Sequence, residues 1–432
     1  MEFYIKNGGN LQGEITVPAD KSISHRSIIL SSLAHGVSQI TNFLQGEDSL
    51  NTLKAFEQMG VKIIRHHNDL EVHGVGMHGL KKPAGDLYMG NSGTAMRTMC
   101  GILIAQKFDS TLVGDNSLNL RPMMRIIKPL ELMGGKITAC KDSTAPLKIT
   151  GSQNIRAIDY KMPVASAQVK TAIMLAGLYA TGTTTITECS ATRNHSELML
   201  KSFGYQIETD NNKTIQLNGG GKLTCQNITI PSDISSAAFF IVGATISQGS
   251  NVLLKNILIN PTRDGIIKIL KLMGANIKIK NIKKNGAENI ADIAVKYAPL
   301  KGIKIPHQHI TSAIDEFPII FIAASAATGT TILTEAQELK VKESDRLEAM
   351  AEGLKTLGIE VKTTDDGIKI KGGKITGGKV MSYDDHRIAM AFAIAGLVSK
   401  KPIVVKNCQN VATSFPDFVQ ISQSAGLQIR EQ

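Results

Sequence analysis

The stretch Met59-Gly60-Val61-Lys62-Ile63 decides the fold, because it joins a helical run to an alternating strand through a single glycine. Glycine commonly follows the last turn of a helix, where the backbone turns left-handed. Similar junctions recur along all 432 residues, so the chain consists of six related units. The other junctions are Met133-Gly134, Phe203-Gly204, Met273-Gly274, Leu357-Gly358 and Ala425-Gly426.

Each unit is predicted to run strand, first helix, strand, second helix, strand. The first helices are apolar on most faces, so we expect them to be buried, whereas the more charged second helices should lie outside. The predicted first helices are 24–33, 95–105, 167–179, 235–245, 317–327 and 387–398.

These features predict an α/β protein built from six β-α-β-α-β repeats, which must pack on one another to bury their apolar faces. A chain of this length exceeds the size that one core usually supports, so we expect two domains of three repeats each. The cut should lie near Pro231, and the first strand, 13–17, fits either half.

The composition is that of an ordinary globular protein with a basic surface. The net charge of +11 suggests an anionic partner, although most of the 48 lysines and arginines should only serve solubility. Aromatic residues make up 4% and Trp is absent, which argues against a surface that stacks on single-stranded nucleic acid. The Lys- and Asn-rich residues 278–284 are predicted to form an exposed loop.

Targeting and redox signals are weak throughout the sequence. The five cysteines are scattered and form no C-x-x-C pair, which argues against a disulfide framework and a zinc site. The first residues lack the apolar segment of a signal peptide, and the longest apolar stretches are too short to span a membrane. We therefore expect a cytoplasmic protein that contacts neither membrane nor nucleic acid.

Cations lie close to several predicted helix starts, where they oppose the helix dipole. A bound anion explains this placement, because exposed N–H groups at a helix start attract phosphate or carboxylate and guanidinium groups bind such anions with two hydrogen bonds. For any one arginine, a solvated surface charge is the simpler interpretation, but the repetition predicts a small ligand with more than one anionic group. These cations are Lys21, Arg26, Arg97, Arg121, Lys170, Arg193, Arg263, Arg346 and Arg387.

Acidic residues are rarer at these positions. Asp315 and Glu343 stand out, because a carboxylate among cations can take a proton from a hydroxyl, although a helix cap explains Asp315 almost as well. Asp233 is interpreted as a simple cap, and His25 as a core or hydrogen-bonding residue. The sequence contains no P-loop, nucleophile-elbow or zinc-protease motif.

Several longer motifs, in order, resemble those of the 5-enolpyruvylshikimate-3-phosphate (EPSP) synthase family, in its class II branch. The resemblance runs from Val17-Pro18 to Ser414-Phe415-Pro416. The motifs are Asp20-Lys21-Ser22-Ile23-Ser24-His25-Arg26, Gly90-Asn91-Ser92-Gly93-Thr94, Ala165-Ser166-Ala167-Gln168-Val169-Lys170, Lys342-Glu343-Ser344-Asp345-Arg346 and Asp385-His386-Arg387-Ile388-Ala389-Met390.

The resemblance implies an inside-out α/β barrel of two domains, the enolpyruvyl transferase fold. Residues 20–231 would hold repeats one to three, and residues 1–19 with 232–432 would hold the other three, joined by a two-stranded hinge. The implied reaction transfers the enolpyruvyl group of phosphoenolpyruvate to the 5-hydroxyl of shikimate 3-phosphate and releases phosphate, on the route to chorismate and aromatic amino acids. It needs no metal and no organic cofactor, and we expect a monomer.

The resemblance also implies the site residues, motif by motif. Asp315 would take the proton of the 5-hydroxyl, and Glu343, with Lys21, would protonate the methylene carbon. The implied contacts of shikimate 3-phosphate are Lys21, Ser22, Arg26, Ser166, Gln168, Arg193, Asp315 and Lys342. Those of phosphoenolpyruvate are Lys21, Asn91, Gly93, Arg121, Gln168, Arg346 and Arg387.

Some positions depart from common family patterns. Ala19 stands in place of a glycine, and Asn194 in place of an aspartate. Thr413 replaces a lysine of class I members, so phosphate binding is not assigned there. The family is the target of glyphosate, which occupies the phosphoenolpyruvate site, and Gly93 leaves room for that inhibitor.

Three other functions compete with this interpretation. UDP-N-acetylglucosamine enolpyruvyl transferase shares the repeat plan but uses a cysteine in the loop that corresponds to residues 111–121, where this chain has none. A nucleic-acid enzyme such as an RNA 3′-phosphate cyclase would fit the charge but not the motifs. A binding protein without turnover would not need Asp315 and Glu343.

Overall fold

In a computed structural model that describes residues 1–152, 154–210 and 213–432, the chain forms two compact units. The central unit is Lys21–Ile230, and the terminal unit combines Met1–Asp20 with Pro231–Gln432. Within the terminal unit the two segments meet where the Asp20 N–H donates a 2.8 Å hydrogen bond to the Pro231 carbonyl.

The helices and strands of the described residues follow the order of the repeats. The α-helices are α1 (Lys21–Leu33), α2 (Glu47–Gln58), α3 (Gly93–Leu103), α4 (Met124–Leu132), α5 (Ala167–Gly177), α6 (His195–Ser202), α7 (Ile234–Ile246), α8 (Gly265–Leu272), α9 (Phe317–Ala326), α10 (Arg346–Thr356), α11 (His386–Ala395) and α12 (Phe418–Ala425). The strands are β1 (Phe3–Ile5), β2 (Gln12–Ile15), β3 (His35–Thr41), β4 (Lys62–His66), β5 (Asp69–Val75), β6 (Leu87–Tyr88), β7 (Ser110–Val113), β8 (Lys136–Thr138), β9 (Leu147–Thr150), β10 (Asp159–Lys161), β11 (Thr183–Thr187), β12 (Ile207–Thr209), β13 (Thr214–Asn218), β14 (Ile228–Thr229), β15 (Asn251–Leu258), β16 (Asn276–Asn285), β17 (Glu288–Lys296), β18 (Thr330–Leu333), β19 (Glu360–Thr364), β20 (Gly367–Lys371), β21 (Gly378–Met381), β22 (Ile403–Lys406) and β23 (Ile429–Glu431).

The central unit contains three sheets with one shared plan. Their strand orders are β14-β3-β5-β4, β6-β7-β9-β8 and β10-β11-β13-β12. In each sheet the first strand of this order runs parallel to its neighbour and the remaining pairs are antiparallel. Strand β14, from the end of the unit, completes the first sheet.

In the terminal unit two sheets repeat this plan with strands from both of its segments, and a third sheet has three strands with antiparallel pairs only. Its sheets have the orders β2-β15-β17-β16, β18-β20-β19 and β21-β22-β1-β23. Strand β2 is parallel to β15, and β1 lies antiparallel between β22 and β23. The first fifteen residues therefore supply a strand to each of two sheets. The predicted strand 13–17 corresponds to β2, and it belongs to the second half of the repeats.

The first helix of each repeat lies in the core of its unit, as the sequence predicts. Every residue of α7 is buried, and α9 is buried from Phe317 to Ser325. The second helices are amphipathic, with exposed residues such as Leu132 in α4 and Leu272 in α8. Burial explains why the first helices carry few charges, because an unpaired charge is expensive to remove from water. No helix among the described residues has the length and apolarity needed to cross a membrane.

The six glycine junctions adopt the predicted left-handed conformation, with φ between 81° and 112°. At the first junction the Gly60 N–H donates to the Glu57 carbonyl and the Val61 N–H to the Phe56 carbonyl, both at 3.0 Å. The same pair of hydrogen bonds closes the other five helices. This is the Schellman arrangement, in which glycine avoids the steric cost of a Cβ.

Residues 278–284 are exposed, as predicted, but they do not form the predicted loop. These residues belong to the edge strand β16, which pairs with β17 and shifts register between Lys280 and Lys283. An edge strand has one side open to water, so lysines are compatible with it and even protect it from pairing with other chains. Composition alone does not distinguish such a strand from a loop.

The junction geometry predicts the effect of Gly204→Ala. A Cβ at Gly204 would meet no atom closer than 3.7 Å, so the substitution tests the φ of 81° rather than packing. We expect it to destabilise the protein by about 1 kcal/mol, measured as a lower midpoint of thermal unfolding. Gly85→Ala is the matched control, because Gly85 has open space around it and lies outside the left-handed region. Equal midpoints for the two variants would contradict the prediction.

Candidate active site

Lys21 opens α1 in the central unit, beside Asp48 in the first turn of α2. Its Nζ lies 2.8 Å from Asp48 Oδ2, and the two side chains are 20% and 6% exposed. The carboxylate offsets the unfavourable position of an ammonium group at a helix start. Arg193 reaches the same helix end, where its Nη1 donates to Ser22 Oγ at 3.4 Å.

Arg26 is buried among three helices rather than displayed at the helix start. Its guanidinium donates to Ser196 Oγ at 2.7 Å, to Thr171 Oγ1 at 3.0 Å and to the Ser22 carbonyl at 3.0 Å. These bonds tie α1 to α5 and α6. The contact with shikimate 3-phosphate that the resemblance implies for Arg26 stays a prediction.

The start of α3 gathers Asn91, Gly93 and Arg121. A Cβ added at Gly93 would lie 3.0 Å from Arg121 Nη1 and 3.3 Å from Arg97 Nη1, so only glycine lets both guanidinium groups approach this backbone undisturbed. Arg121 Nη2 lies 3.5 Å from Asn91 Oδ1, and Asn91 in turn donates to Asp115 at 2.7 Å. Two guanidinium groups at a helix start form a site suited to an anion.

Gln168 connects α5 to this group. Its Oε1 accepts a hydrogen bond of 2.6 Å from Arg97 Nη1, and its Nε2 donates to Thr94 Oγ1 at 3.1 Å. Ser166 caps α5 by accepting from the Val169 N–H. The resemblance does not imply Arg97 as a site residue. Its position near a predicted helix start is the sequence signal that could have added it to the site.

The interpretation of Lys170 as a sign of a bound anion is wrong. Its ammonium group is fully buried and lies 3.1 Å from Glu188 Oε2 and 2.6 Å from Glu197 Oε1. The protein's own carboxylates thus balance this charge. Glu188 also accepts a hydrogen bond of 3.0 Å from the Thr192 N–H, which fixes the segment that leads to Arg193.

In the terminal unit, Asp315 lies among three cations. Its Oδ1 is 3.1 Å from Lys342 Nζ and 3.5 Å from Arg346 Nη1, and Arg387 Nη1 donates to its backbone carbonyl at 3.0 Å. Asp315 does not cap α9, because Glu316 occupies the cap position. This geometry favours the functional reading of Asp315 over the helix-cap reading.

Arg346, at the first position of α10, binds three carboxylates. It lies 2.6 Å from Glu343 Oε2, 2.8 Å from Asp385 Oδ2 and within reach of Asp315. Burial disfavours the charged guanidinium, but Asp385, Glu343 and Asp315 outweigh that effect and raise the pKa of Arg346 above its usual range. Asp385 also caps α11, accepting from the Arg387 N–H at 2.9 Å. Asp385 lies in the motif 385–390, but its sequence alone predicts no role for it.

A second buried arginine of the terminal unit, Arg263, joins Asp20 to Asp233. Each carboxylate lies 3.0 Å from the guanidinium, which also donates to Ser235 Oγ at 2.7 Å. Burial and the neighbouring Asp20 raise the pKa of Asp233 to about 6. Asp233 does cap α7, as predicted, but it is also part of this buried ion cluster. In residues 1–152, 154–210 and 213–432, no three His, Cys, Asp or Glu side chains are grouped to hold a metal ion.

With this geometry in place, comparison with known proteins identifies the family. The sequence model of the family EPSP synthase (3-phosphoshikimate 1-carboxyvinyltransferase) matches residues 5–421 of this chain. The chain belongs to the EPSP synthase family. It is therefore an enzyme that transfers the enolpyruvyl group of phosphoenolpyruvate to shikimate 3-phosphate.

Curated and solved EPSP synthases agree over nearly the whole chain. The 3-phosphoshikimate 1-carboxyvinyltransferase of Methylococcus capsulatus is 54% identical over 423 residues, covering 98% of this chain and 97% of that protein. The enzyme of the same name from Legionella pneumophila is 51% identical, covering 100% and 99%. A solved EPSP synthase from Acinetobacter baumannii has a TM-score of 0.89 at 52% identity, with both chains fully covered. The fold predicted by resemblance is thereby confirmed.

The burial of Lys170 predicts that Lys170→Met is a stability mutant. It would leave Glu188 and Glu197 buried with no ammonium partner, which typically costs about 3–5 kcal/mol. Urea unfolding should show the loss, and the combined change Lys170→Met, Glu188→Gln, Glu197→Gln should recover part of it. If Lys170→Met instead weakened substrate binding at unchanged stability, an anion-binding role would be supported.

Proposed function

We propose that cations at the helix starts bind the phosphate and carboxylate groups of shikimate 3-phosphate and phosphoenolpyruvate. We propose further that Asp315 and Glu343 are the base and the acid of the reaction. The observation that carries this proposal is that both carboxylates contact the guanidinium of Arg346, at 3.5 Å and 2.6 Å. Proton transfer in both directions requires a base and an acid held in fixed positions, and one buried arginine supplies that fixed point.

In the proposed mechanism Glu343, with Lys21, donates a proton to C3 of phosphoenolpyruvate. C2 becomes cationic, and the 5-hydroxyl oxygen attacks it while Asp315 takes the hydroxyl proton. The tetrahedral product then releases phosphate, which carries away the proton taken by Asp315, while one C3 proton returns to Glu343 and leaves the enolpyruvyl ether. Guanidinium groups already oriented by the protein stabilise the charge of this intermediate and of the departing phosphate without further rearrangement.

The substrate contacts are proposed residue by residue. We assign shikimate 3-phosphate to Lys21, Ser22, Arg26, Ser166, Gln168, Arg193, Asp315 and Lys342. We assign phosphoenolpyruvate to Lys21, Asn91, Gly93, Arg121, Gln168, Arg346 and Arg387. The guanidinium groups beside Gly93, and the bonds of Gln168 to Arg97 and Thr94, support the second set.

The roles of the two carboxylates predict the effect of Asp315→Asn and Glu343→Gln. Each should lower kcat by about 10²–10⁴-fold, because general acid–base groups contribute on this scale. The measurement is phosphate release from shikimate 3-phosphate and phosphoenolpyruvate, with Glu348→Gln as a control on the exposed side of α10. Unchanged kcat in both variants would sink the assigned roles. Release with UDP-N-acetylglucosamine as the acceptor would favour the competing transferase.

We also propose that glyphosate inhibits the enzyme by competing with phosphoenolpyruvate. A methyl group at Gly93 would press on Arg121 and Arg97 and intrude on the inhibitor. Gly93→Ala should therefore raise the inhibition constant of glyphosate by about tenfold or more, on the scale of one misplaced methyl group in a binding pocket. Equal inhibition constants for the two proteins would contradict this.

The protein is further proposed to act as a monomer in the cytoplasm. The five cysteines are free thiols, which suits a reducing compartment. Light scattering during gel filtration should give the mass of one chain, and the mass of two chains would refute the monomer.

A further inference from the structure

Two parallel contacts join α1 to α2 in the central unit, one helical turn apart. Lys21 and His25 lie four residues apart on α1, and Asp48 and Thr52 lie four residues apart on α2. Residues at this spacing share a helix face. Lys21 Nζ meets Asp48 at 2.8 Å, and His25 Nδ1 meets Thr52 Oγ1 at 2.7 Å.

The other ring nitrogen of His25 reaches a third helix. Its Nε2 lies 3.4 Å from Oγ of Ser92, the residue that caps α3. His25 and Ser92 are both buried, at 0% and 2% exposure. The imidazole is thus a node between α1, α2 and the end of α3 that carries Asn91 and Gly93.

The hydrogen-bond directions around this node are consistent with one another. Ser92 Oγ accepts from the Ala95 N–H at 3.1 Å, so its hydroxyl proton can be donated to His25 Nε2. Thr52 Oγ1 donates to the Asp48 carbonyl at 3.4 Å, so it can accept from His25 Nδ1. A neutral imidazole with its proton on Nδ1 satisfies both hydroxyls at once.

We propose that His25 is a positioning residue for the phosphoenolpyruvate half of the reaction. It touches no reacting atom. Through Thr52 it orients the helix turn that presents Asp48 to Lys21, and through Ser92 it fixes the backbone of Gly93. The inference rests on the substrate contacts proposed above for Lys21, Asn91 and Gly93.

The first test removes one bond at a time. Thr52→Val deletes the acceptor of His25 Nδ1 at nearly constant volume. Thr98→Val is its matched control, because Thr98 is also buried in this unit and its hydroxyl donates to the carbonyls of its own helix, α3. We expect Thr52→Val to raise KM for phosphoenolpyruvate about three- to tenfold relative to Thr98→Val, the scale of one neutral hydrogen bond. Identical kinetics for the two variants would overturn the proposal.

Two histidine variants separate the two bonds. His25→Asn retains a donor near the Nδ1 position and His25→Gln an acceptor near the Nε2 position, whereas His25→Phe has neither. The proposal expects both amides to recover much of the KM lost in His25→Phe. If all three variants show the same KM, the ring only fills space and the inference fails.

A spectroscopic measurement tests the node in the wild-type enzyme. ¹⁵N NMR of histidine-labelled protein at neutral pH should show His25 as the neutral Nδ1–H tautomer, and Thr52→Val should shift that resonance. An Nε2–H tautomer or an imidazolium would contradict the assigned hydrogen bonds.

Lys21→Met separates this inference from the function on which it rests. Unchanged turnover in Lys21→Met would refute the proposed substrate contacts, whereas lost turnover there with a silent Thr52→Val would refute only the role of His25.

Discussion

The repulsion between a cation and the positive end of a helix is the constraint on which the side-chain arrangement of each unit depends. Lys21 occupies the first position of α1, and Asp48 lies 2.8 Å from it. Arg346 occupies the first position of α10, and Asp385 and Glu343 hold it. In both cases the protein supplies its own carboxylate, so the cation is held in place without a bound anion.

Cations that are already oriented would lower the entropic cost of binding two polyanionic substrates. Free lysine and arginine side chains sample many rotamers, and ordering them on binding would reduce the available binding free energy. Side chains already oriented by carboxylates and amides avoid much of that loss. Gln168 has the same effect on Arg97 through a neutral amide, which orients the guanidinium without cancelling its charge.

Features that depend on neighbouring residues could be predicted from the sequence. The glycine junctions are an example, because the helix end, the left-handed glycine and the following strand lie within a few positions. The buried first helices are another, since their composition alone excludes exposure. The edge strand β16 could not be distinguished from a loop, because its lysines reflect solvent on one side of the strand rather than a missing partner.

The partners of the site residues could not be predicted in this way. Asp48 is 27 residues from Lys21, Asp385 is 39 residues from Arg346, and Gln168 is 71 residues from Arg97. Such pairs depend on how separate helices pack. The role of Lys170 could not be predicted for the same reason. Its charge suggested a bound anion, but its partners are Glu188 and Glu197, which the fold brings to it.

The strands at the start of the chain also set an order on biosynthesis. Strand β1 pairs only with β22 and β23 among the described strands, and β2 pairs with β15, so both must wait for segments that the ribosome makes much later. The central unit draws all of its strands from Lys21–Ile230 and is complete before any of those partners exist. Because domains tend to fold as they emerge, the central unit can fold during translation, whereas the sheet that contains β1 is completed only when β23 has been made.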